Sequence, residues 1–206
     1  SNDTTILKHF YQDSQKYAFP FQIMACCTRI ANVKKAIQNN PQCKIIICER
    51  SIEADANIFA KMLYDDGVMN EMEYKIYNLF YDEHKDNYRP TGYVYLDTNA
   101  DICLNRIKKR SRDGEANIAL EYLQRCQKYH DKWLKNKELD TPVLILDTNK
   151  DVNYDKDEGH EWITKISDFI TERLQQKGMS SIKTNAAGSP ESKISETLRG
   201  WAIDFP

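Results

Sequence analysis

Apolar residues recur at helical spacing through the first forty positions. Ile6 to Tyr11 predicts a short helix, and Phe21, Met24, Ala25, Thr28 and Ala31 predict a longer one from about Phe19. Asn39-Asn40-Pro41 ends it, because asparagine suits a C-cap and proline cannot continue a helix. Lys44 to Cys48 breaks the period. It is a short β-branched run without alternation, the pattern of a strand buried on both faces of a parallel sheet. Ile52 to Tyr64 is amphipathic and predicts a helix stopped near Gly67. Asn70, with Glu73 three residues on, is a capping-box pair that opens a helix to about His84.

Arg89-Pro90-Thr91-Gly92 is a turn cluster, and Tyr93 to Leu96 predicts a second strand. Asp97-Thr98-Asn99 offers a cap for a helix from Ala100 to Arg110. A polar loop from Ser111 to Asn117 leads to a helix from Ala119 to Leu134. Pro142 to Leu146 predicts a third strand, and a helix follows from about Gly159 to Gln176. Short buried strands alternating with helices mean an α/β fold, a parallel sheet flanked by helices. After Lys177 the pattern is lost. Residues 1–177 are expected to form the domain and residues 178–206 a small, polar C-terminal tail. No internal repeat occurs.

Composition narrows the function. The 206 residues suit one domain with an appendage, and 41% hydrophobic with 29% charged residues is a globular composition. A net charge of −2 argues against a general nucleic-acid binder. The longest apolar run, Ile45-Ile46-Ile47-Cys48, is far short of the roughly 20 residues of a membrane helix, so no membrane span is expected. Ser1-Asn2-Asp3 does not open a signal peptide. Cys26, Cys27, Cys43, Cys48, Cys103 and Cys126 form no C-x-x-C pair and lie far from the histidines. They predict buried, reduced thiols in an intracellular protein; the expected location is the cytoplasm or the mitochondrion.

Three segments carry candidate chemistry. Glu49-Arg50-Ser51 sits at the carboxyl end of the first predicted strand, where ligands bind in open α/β sheets. A carboxylate there can take a proton from a hydroxyl or hold a metal through water, and an arginine can clamp phosphate. A charged turn with Ser51 as N-cap explains the same letters. Arg106-Ile107-Lys108-Lys109-Arg110-Ser111-Arg112 places Arg106 and Arg110 on one helix face and crowds cations at the exit into a loop. That suits a lid over phosphates, or simply charge at a helix C-terminus. On the N-terminal helix, Gln22 and Arg29 share a face near Tyr11, Phe19 and Phe21. An amide with aromatics nearby suits a nucleobase, or an amphipathic core helix.

In this order the segments resemble the deoxynucleoside kinase family, the deoxycytidine and deoxyguanosine kinase group, from Tyr11 to about Asp151. Phe19-Pro20-Phe21-Gln22 with Ala25 and Arg29 is similar to its base-binding helix. Glu49-Arg50-Ser51 with Asp55 and Ile58-Phe59 is similar to its Glu-Arg-Ser motif and the helix after it. Tyr95-Leu96, Cys103 to Ile107 and Arg110 to Arg112 resemble its strand and lid. Leu120-Glu121-Tyr122-Leu123 and His130 to Leu134 resemble the helix after the lid.

The resemblance implies transfer of the ATP γ-phosphate to a deoxynucleoside 5′-hydroxyl, with Mg²⁺. Glu49 would accept the proton or hold the magnesium shell, and Arg50 would steady the oxygen and incoming phosphate. Tyr11 and Glu115 would bind the sugar. Gln22, Arg29 and Asp55 would read the base, with Phe21 and Phe59 on its faces. Arg106, Arg110 and Arg112 would form the lid over the donor phosphates, and Lys150, Asp151 and Val152 would lie by the donor adenine. Val152 stands where an aromatic is usual. Deoxycytidine or a purine deoxynucleoside is the implied substrate, and a homodimer the implied assembly. Tyr74, Tyr77, Phe80 and Tyr81 add aromatic surface to the expected interface helix.

The family's fold is a P-loop-kinase-like sheet whose central strand leads into a Gly-x-x-x-x-Gly-Lys-Ser/Thr loop. That pattern does not occur in the 206 residues. The expectation is an N-terminal segment carrying it. Three parallel strands, Lys44–Cys48, Tyr93–Leu96 and Val143–Leu146, should then show a gap between the first two. The competing expectation is an inactive relative serving as a structural subunit of a larger protein complex.

Overall fold

A computed structural model describes residues 6–111, 115, 118–152 and 159–176, without the side chains of Leu7 and Lys8. Helices α1 (Ile6–Gln12) and α2 (Ser14–Asn39) pack together at the start of the chain. Asp13 caps α2, its carboxylate accepting the Lys16 N–H at 3.2 Å. α2 starts at Ser14 rather than near Phe19 and runs through Pro20. Proline has no N–H, so the Lys16 carbonyl loses its helical donor. The Asp13 cap and the full burial of Ala18 hold the turn that propensity alone disfavours.

Residues 52–65 form one helical stretch with an unusual centre: α3 (Ile52–Ala54), a π-helical segment (Asp55–Ala60) and α4 (Lys61–Asp65). Extra residues in a turn of this kind re-aim side chains and are frequent at functional sites. Gly67 then turns the chain at φ +67°, a left-handed conformation that glycine adopts without a Cβ penalty. α5 (Glu71–Lys85) opens with the expected capping box. Asn70 Oδ1 accepts the Glu73 N–H at 3.0 Å and Glu73 Oε2 accepts the Asn70 N–H at 2.9 Å. Ala18 and Cys26 from α2, Ile52, Ala56, Ala60, Leu63 and Met69, and Tyr77 from α5 form the core. Tyr74, Phe80 and Tyr81 pack against it. The aromatic side of α5 therefore faces inward, contrary to the surface role expected of it. The large apolar residues of α5 that are exposed are Met72, Ile76 and Leu79.

Two parallel strands, β1 (Tyr93–Asp97) and β2 (Val143–Asp147), pair in register from Tyr93↔Val143 to Asp97↔Asp147. The connection runs through α6 (Ala100–Arg110) and α7 (Leu120–Leu134), as parallel pairing requires. α7 is tied to β1 by Tyr95 Oη donating to Asp131 Oδ1 at 2.9 Å and by Trp133 edge-on to Tyr93, ring centroids 5.0 Å apart. The Asn99 side chain does not cap α6. Instead Gln127 Oε1 accepts the Ala100 N–H at 3.1 Å, and Asn149 Oδ1 the Asn99 N–H at 2.8 Å.

The expected first strand, Lys44–Cys48, is not a strand. Residues 45–48 have no ladder partner, and Ile46 and Ile47 are exposed. β-branched residues favour extended backbone, but a strand exists only where a neighbour supplies hydrogen bonds. The sheet formed by the described residues thus has two strands, not three, and β1 does not pair with residues 44–48. The cysteines also depart from expectation. All six are free, but only Cys26 is buried, while Cys27, Cys43 and Cys48 are exposed. Cys27 follows Cys26 on a helix and so points away from the core. Cys43 and Cys48 lie in the unpaired segment.

The chain divides into two compact units, residues 1–151 and 152–206. Within the second, α8 (His160–Gln176) is described, with the Arg173 guanidinium 5.3 Å from the centre of the Phe169 ring. The expected tail, residues 178–206, lies outside the described residues. No helix of the described residues is long and apolar enough to cross a membrane.

Candidate active site

The core arrangement aims one polar set at the turn before α3. Arg29, four turns along α2, reaches the first residue of the π-helical segment. Its Nε donates to Asp55 Oδ2 at 2.8 Å and its Nη2 to Asp55 Oδ1 at 3.1 Å, a two-pronged fork. Its Nη1 donates to the Glu49 carbonyl oxygen at 2.9 Å. One guanidinium therefore fixes both the carboxylate and the turn that carries Glu49 and Arg50. Asp55 is 2% exposed. Burial pushes its carboxyl above the ordinary value, while the Arg29 fork pulls the other way. Gln22 is buried on the same face of α2. Phe21 stacks on Phe10, centroids 5.1 Å apart.

Beneath this pair lie Cys26 and Tyr77, both fully buried. The Tyr77 hydroxyl has no hydrogen-bond partner among the described residues. Burial, with Asp55 next in weight, pushes the Cys26 thiol up to about 12. Both groups are neutral at physiological pH and leave Asp55 and Arg29 as the charged pair.

Arg50 adopts φ +59°, which for a residue with a Cβ costs about 1–2 kcal/mol. Its guanidinium lies 4.6 Å from the centre of the Phe59 ring, a cation–π contact. The π-helical turn brings Phe59 under Arg50 while Asp55 faces Arg29. Strain held by surrounding contacts is common where a side chain must be aimed. Tyr11 lies in the same neighbourhood. Burial raises its hydroxyl pKa, the Glu115 carboxylate raises it further, and Arg50 opposes. Glu115 in turn accepts from Arg110 Nη2 at 2.7 Å through each oxygen.

A second group sits at the carboxyl ends of the strands. Arg106 Nε donates to Asp151 Oδ1 at 2.9 Å, and its Nη2 donates to the carbonyls of Thr148 at 2.8 Å and Lys150 at 3.2 Å. Lys109 Nζ reaches Asp151 Oδ2 at 3.2 Å. Arg106 is thus turned onto the loop after β2, and Arg110 onto Glu115. The two residues share α6 but hold different partners. Arg112 lies outside the described residues, and Val152 begins the second unit.

The sequence-derived residues therefore fall into two sets. Gln22, Arg29, Glu49, Arg50, Asp55 and Phe59 are joined by direct contacts or a shared face, with Tyr11, Glu115 and Arg110 adjoining. Arg106, Lys150 and Asp151 form the loop set. His130, Tyr122 and Cys126 were missed. All three lie within the electrostatic reach of Arg50: burial raises the Tyr122 hydroxyl and the Cys126 thiol and lowers the His130 imidazole, and the Arg50 charge acts downward on each. Their spacing on α7, four residues apart, marks one helix face and is the signal that could have found them. Two cavities of about 330 and 350 Å³ lie elsewhere, the first bordered by Glu53, Arg89, Tyr93 and Thr141 at the amino ends of the strands.

Among the described residues no three His, Cys, Asp or Glu side chains gather to hold a metal. Asp55 is occupied by Arg29, which leaves Glu49 as the carboxylate of the turn. Mg²⁺ does not need more. It is commonly held by one or two carboxylates, waters and substrate phosphates.

Comparison with known proteins identifies a family. A sequence model of the deoxynucleoside kinase family matches residues 1–171. A deoxycytidine kinase of Bos taurus is 33% identical over 181 residues, 81% of this chain and 68% of its own. The deoxycytidine kinase of Homo sapiens is 30% identical over 185 residues, covering 82% of this chain and 70% of its own. A mitochondrial deoxyguanosine kinase of Xenopus laevis is 28% identical over 183 residues, covering 80% and 68%.

Proposed function

Because the chain belongs to the deoxynucleoside kinase family, we propose that it phosphorylates a deoxynucleoside at its 5′-hydroxyl, with ATP as donor and Mg²⁺ as the accompanying ion. The observation that carries this reading is the buried Arg29–Asp55 fork tied to the Glu49 carbonyl. It offers a rigid hydrogen-bonding edge for a base and couples that edge to the turn that presents Glu49 and Arg50.

In this reading Gln22, Arg29 and Asp55 bond the base edge, and Phe21 and Phe59 flank the base. Tyr11 and Glu115 hold the sugar. Glu49 accepts the 5′-hydroxyl proton as the oxygen attacks the terminal phosphorus and the bond to the leaving diphosphate breaks. Arg50 neutralises charge on the transferring group. Mg²⁺, when bound, would neutralise phosphate charge, with Glu49 as its protein-side carboxylate. Arg106 and Arg110 supply further cations after exchanging their present carboxylate partners for phosphate oxygens. The Arg106 loop, with Lys150 and Asp151, is where the donor base would lie. Deoxycytidine and purine deoxynucleosides are the favoured substrates, because an arginine–carboxylate pair presents both donors and an acceptor to a base carrying an exocyclic amine or an adjacent carbonyl.

The natural protein, assayed with ATP–Mg²⁺ and each of the four deoxynucleosides, is expected to phosphorylate deoxycytidine or a purine deoxynucleoside best. Arg29→Gln should cut kcat/KM by about 10- to 150-fold, the cost of one charged hydrogen bond. Equal activity of wild type and Arg29→Gln on all four substrates would overturn the assignment of the base site.

The reading extends to assembly. Met72, Ile76 and Leu79 form an exposed stripe at helical spacing on α5, and a second copy of the chain is the occupant it suits. Light scattering at micromolar concentration should give a dimer mass, and Leu79→Asp should give a monomer. A monomeric wild type would reject this part of the proposal.

A further inference from the structure

Arg50 does not rest on Phe59 alone. Phe59 meets His130 edge to face, centroids 6.4 Å apart and planes at 85°. His130 stacks in parallel on Tyr95, centroids 5.7 Å apart and planes at 6°. The column thus runs from a strand of the sheet through α7 and the π-helical segment to the guanidinium. We infer that His130 is a positioning residue for Arg50, its ring forming the middle of the Tyr95–His130–Phe59 column on which Arg50 is seated. The inference rests on the assignment of Arg50 to the transferring phosphate.

Tyr95 and His130 are each fixed from outside the column. Tyr95 Oη donates to Asp131 Oδ1 at 2.9 Å. Lys135 Nζ bridges Asp131 Oδ1 at 2.9 Å and Asp97 Oδ2 at 2.8 Å, which anchors the lower end to β1. His130 Nδ1 lies 2.7 Å from the Cys126 carbonyl oxygen. A carbonyl only accepts, so Nδ1 carries the proton, and in the neutral ring Nε2 is bare. The ring can therefore neither flip nor slide without losing that bond. Arg50 needs such a seat. Its backbone is left-handed, a conformation that a residue with a Cβ keeps only when its side chain is held.

The column also sets a charge requirement. The charged groups bearing on His130 are Arg50, from the turn before α3, and Asp131, from its own helix. Burial holds the imidazole below its ordinary value, and the positive Arg50 acts in the same direction, against the Cys126 bond and Asp131. A second proton on His130 would place a cation two rings from the Arg50 cation. It would also turn Nε2 into a donor without a place in the stack. Acid should therefore unseat Arg50 before the protein unfolds.

The test uses the whole natural protein in the phosphoryl-transfer assay, with kcat and nucleoside KM followed from pH 5 to 8. His130→Ala should lower kcat by about 10- to 100-fold, the range expected when a catalytic group is misplaced by about 1 Å. The nucleoside KM should rise by only a few-fold, because the hydrogen-bonding edge at Arg29 and Asp55 is untouched and only the Phe59 side of the base site loses a neighbour. His130→Phe keeps the ring without the titration, so it should recover most of kcat and lose the acid limb of the profile. His130→Gln, a donor without a ring, should behave like His130→Ala, which keeps the comparison usable if the alanine variant folds poorly. Arg50→Lys is measured in parallel. If it leaves kcat unchanged, the role of Arg50 itself is wrong. If it lowers kcat while His130→Ala and His130→Gln leave kcat and the pH profile as in wild type, the positioning role is overturned. A higher kcat for Gln than for Phe would overturn it as well, because a hydrogen bond and not a ring would then be what Arg50 needs.

Discussion

The helical half of the first unit and its sheet are finished to different degrees. Where α2, the 52–65 helix and α5 meet, a closed apolar core forms and the principal charged pair is matched. Cys26, Met69 and Tyr77 are shut off from solvent, and Arg29 and Asp55 satisfy each other bidentately. The sheet has the opposite character. Val94, Leu96 and Ile145 stand exposed in its two strands, and Ile47, in the unpaired segment before the Glu49 turn, is 62% exposed. The difference shows where structure is local and where it is relational. Helices close their backbone bonds within one segment and need only a partner face. A strand depends on its neighbours for every ladder bond. The groups assigned to the base sit in the finished half, and those assigned to the donor nucleotide sit at the rim of the sheet.

The largest expected effect lies in the helical half. Arg29→Ala leaves the Asp55 carboxylate buried and unpaired, and should cost about 3–5 kcal/mol in urea unfolding. Removing both members, Arg29→Ala with Asp55→Ala, should cost less than the sum of the single changes. Additive costs would mean that the fork does not organise this half. Next come apolar truncations that contrast the halves directly. Met69→Ala should lose about 2–5 kcal/mol, and Leu96→Ala under about 1 kcal/mol, because only the first leaves a cavity. Equal losses would show that the sheet face is covered and the contrast is false.

A further effect is a gain. Glu53 is buried with neither carboxylate oxygen hydrogen-bonded among the described residues, and burial raises its carboxyl above the ordinary value. The folded state then binds the proton more tightly than the unfolded chain. Its contribution is neutral below the unfolded value near pH 4.3 and becomes increasingly unfavourable as pH rises from there through the folded value. Glu53→Gln should therefore stabilise the protein by about 1–3 kcal/mol at pH 7 and by nothing at pH 4. The gain measured by denaturation at the two pH values should differ accordingly. An equal effect at both would place a partner on Glu53.

What the sequence disclosed follows the same division. The capping box at Asn70 and Glu73, the bounds of α6 and the pairing strands at Tyr93 and Val143 are local signals, and all are present in the fold. The start of α2 was missed because Pro20 argues against a helix that burial of Ala18 imposes. The π-helical turn was missed because an extra residue in a turn leaves apolar spacing almost unchanged. Residues 44–48 read as a strand on composition, which says nothing about a partner. The motif order singled out Arg29, Asp55 and Glu49, which the fork joins, and Arg50 next to them in the turn. It did not reveal that Arg29 holds the Glu49 carbonyl, since backbone acceptors carry no side-chain signature. His130 escaped because a lone histidine on an apolar helix face is ordinarily part of a core.

Amide hydrogen exchange with and without saturating deoxycytidine or deoxyguanosine, on the natural protein, tests the central claim most directly. The account predicts slowed exchange in residues 22–29 and 49–60 with one of these nucleosides, and little change in β1 and β2 until the donor nucleotide is added. Protection confined to the strands, or none at 22–29 and 49–60 with any deoxynucleoside, would contradict it.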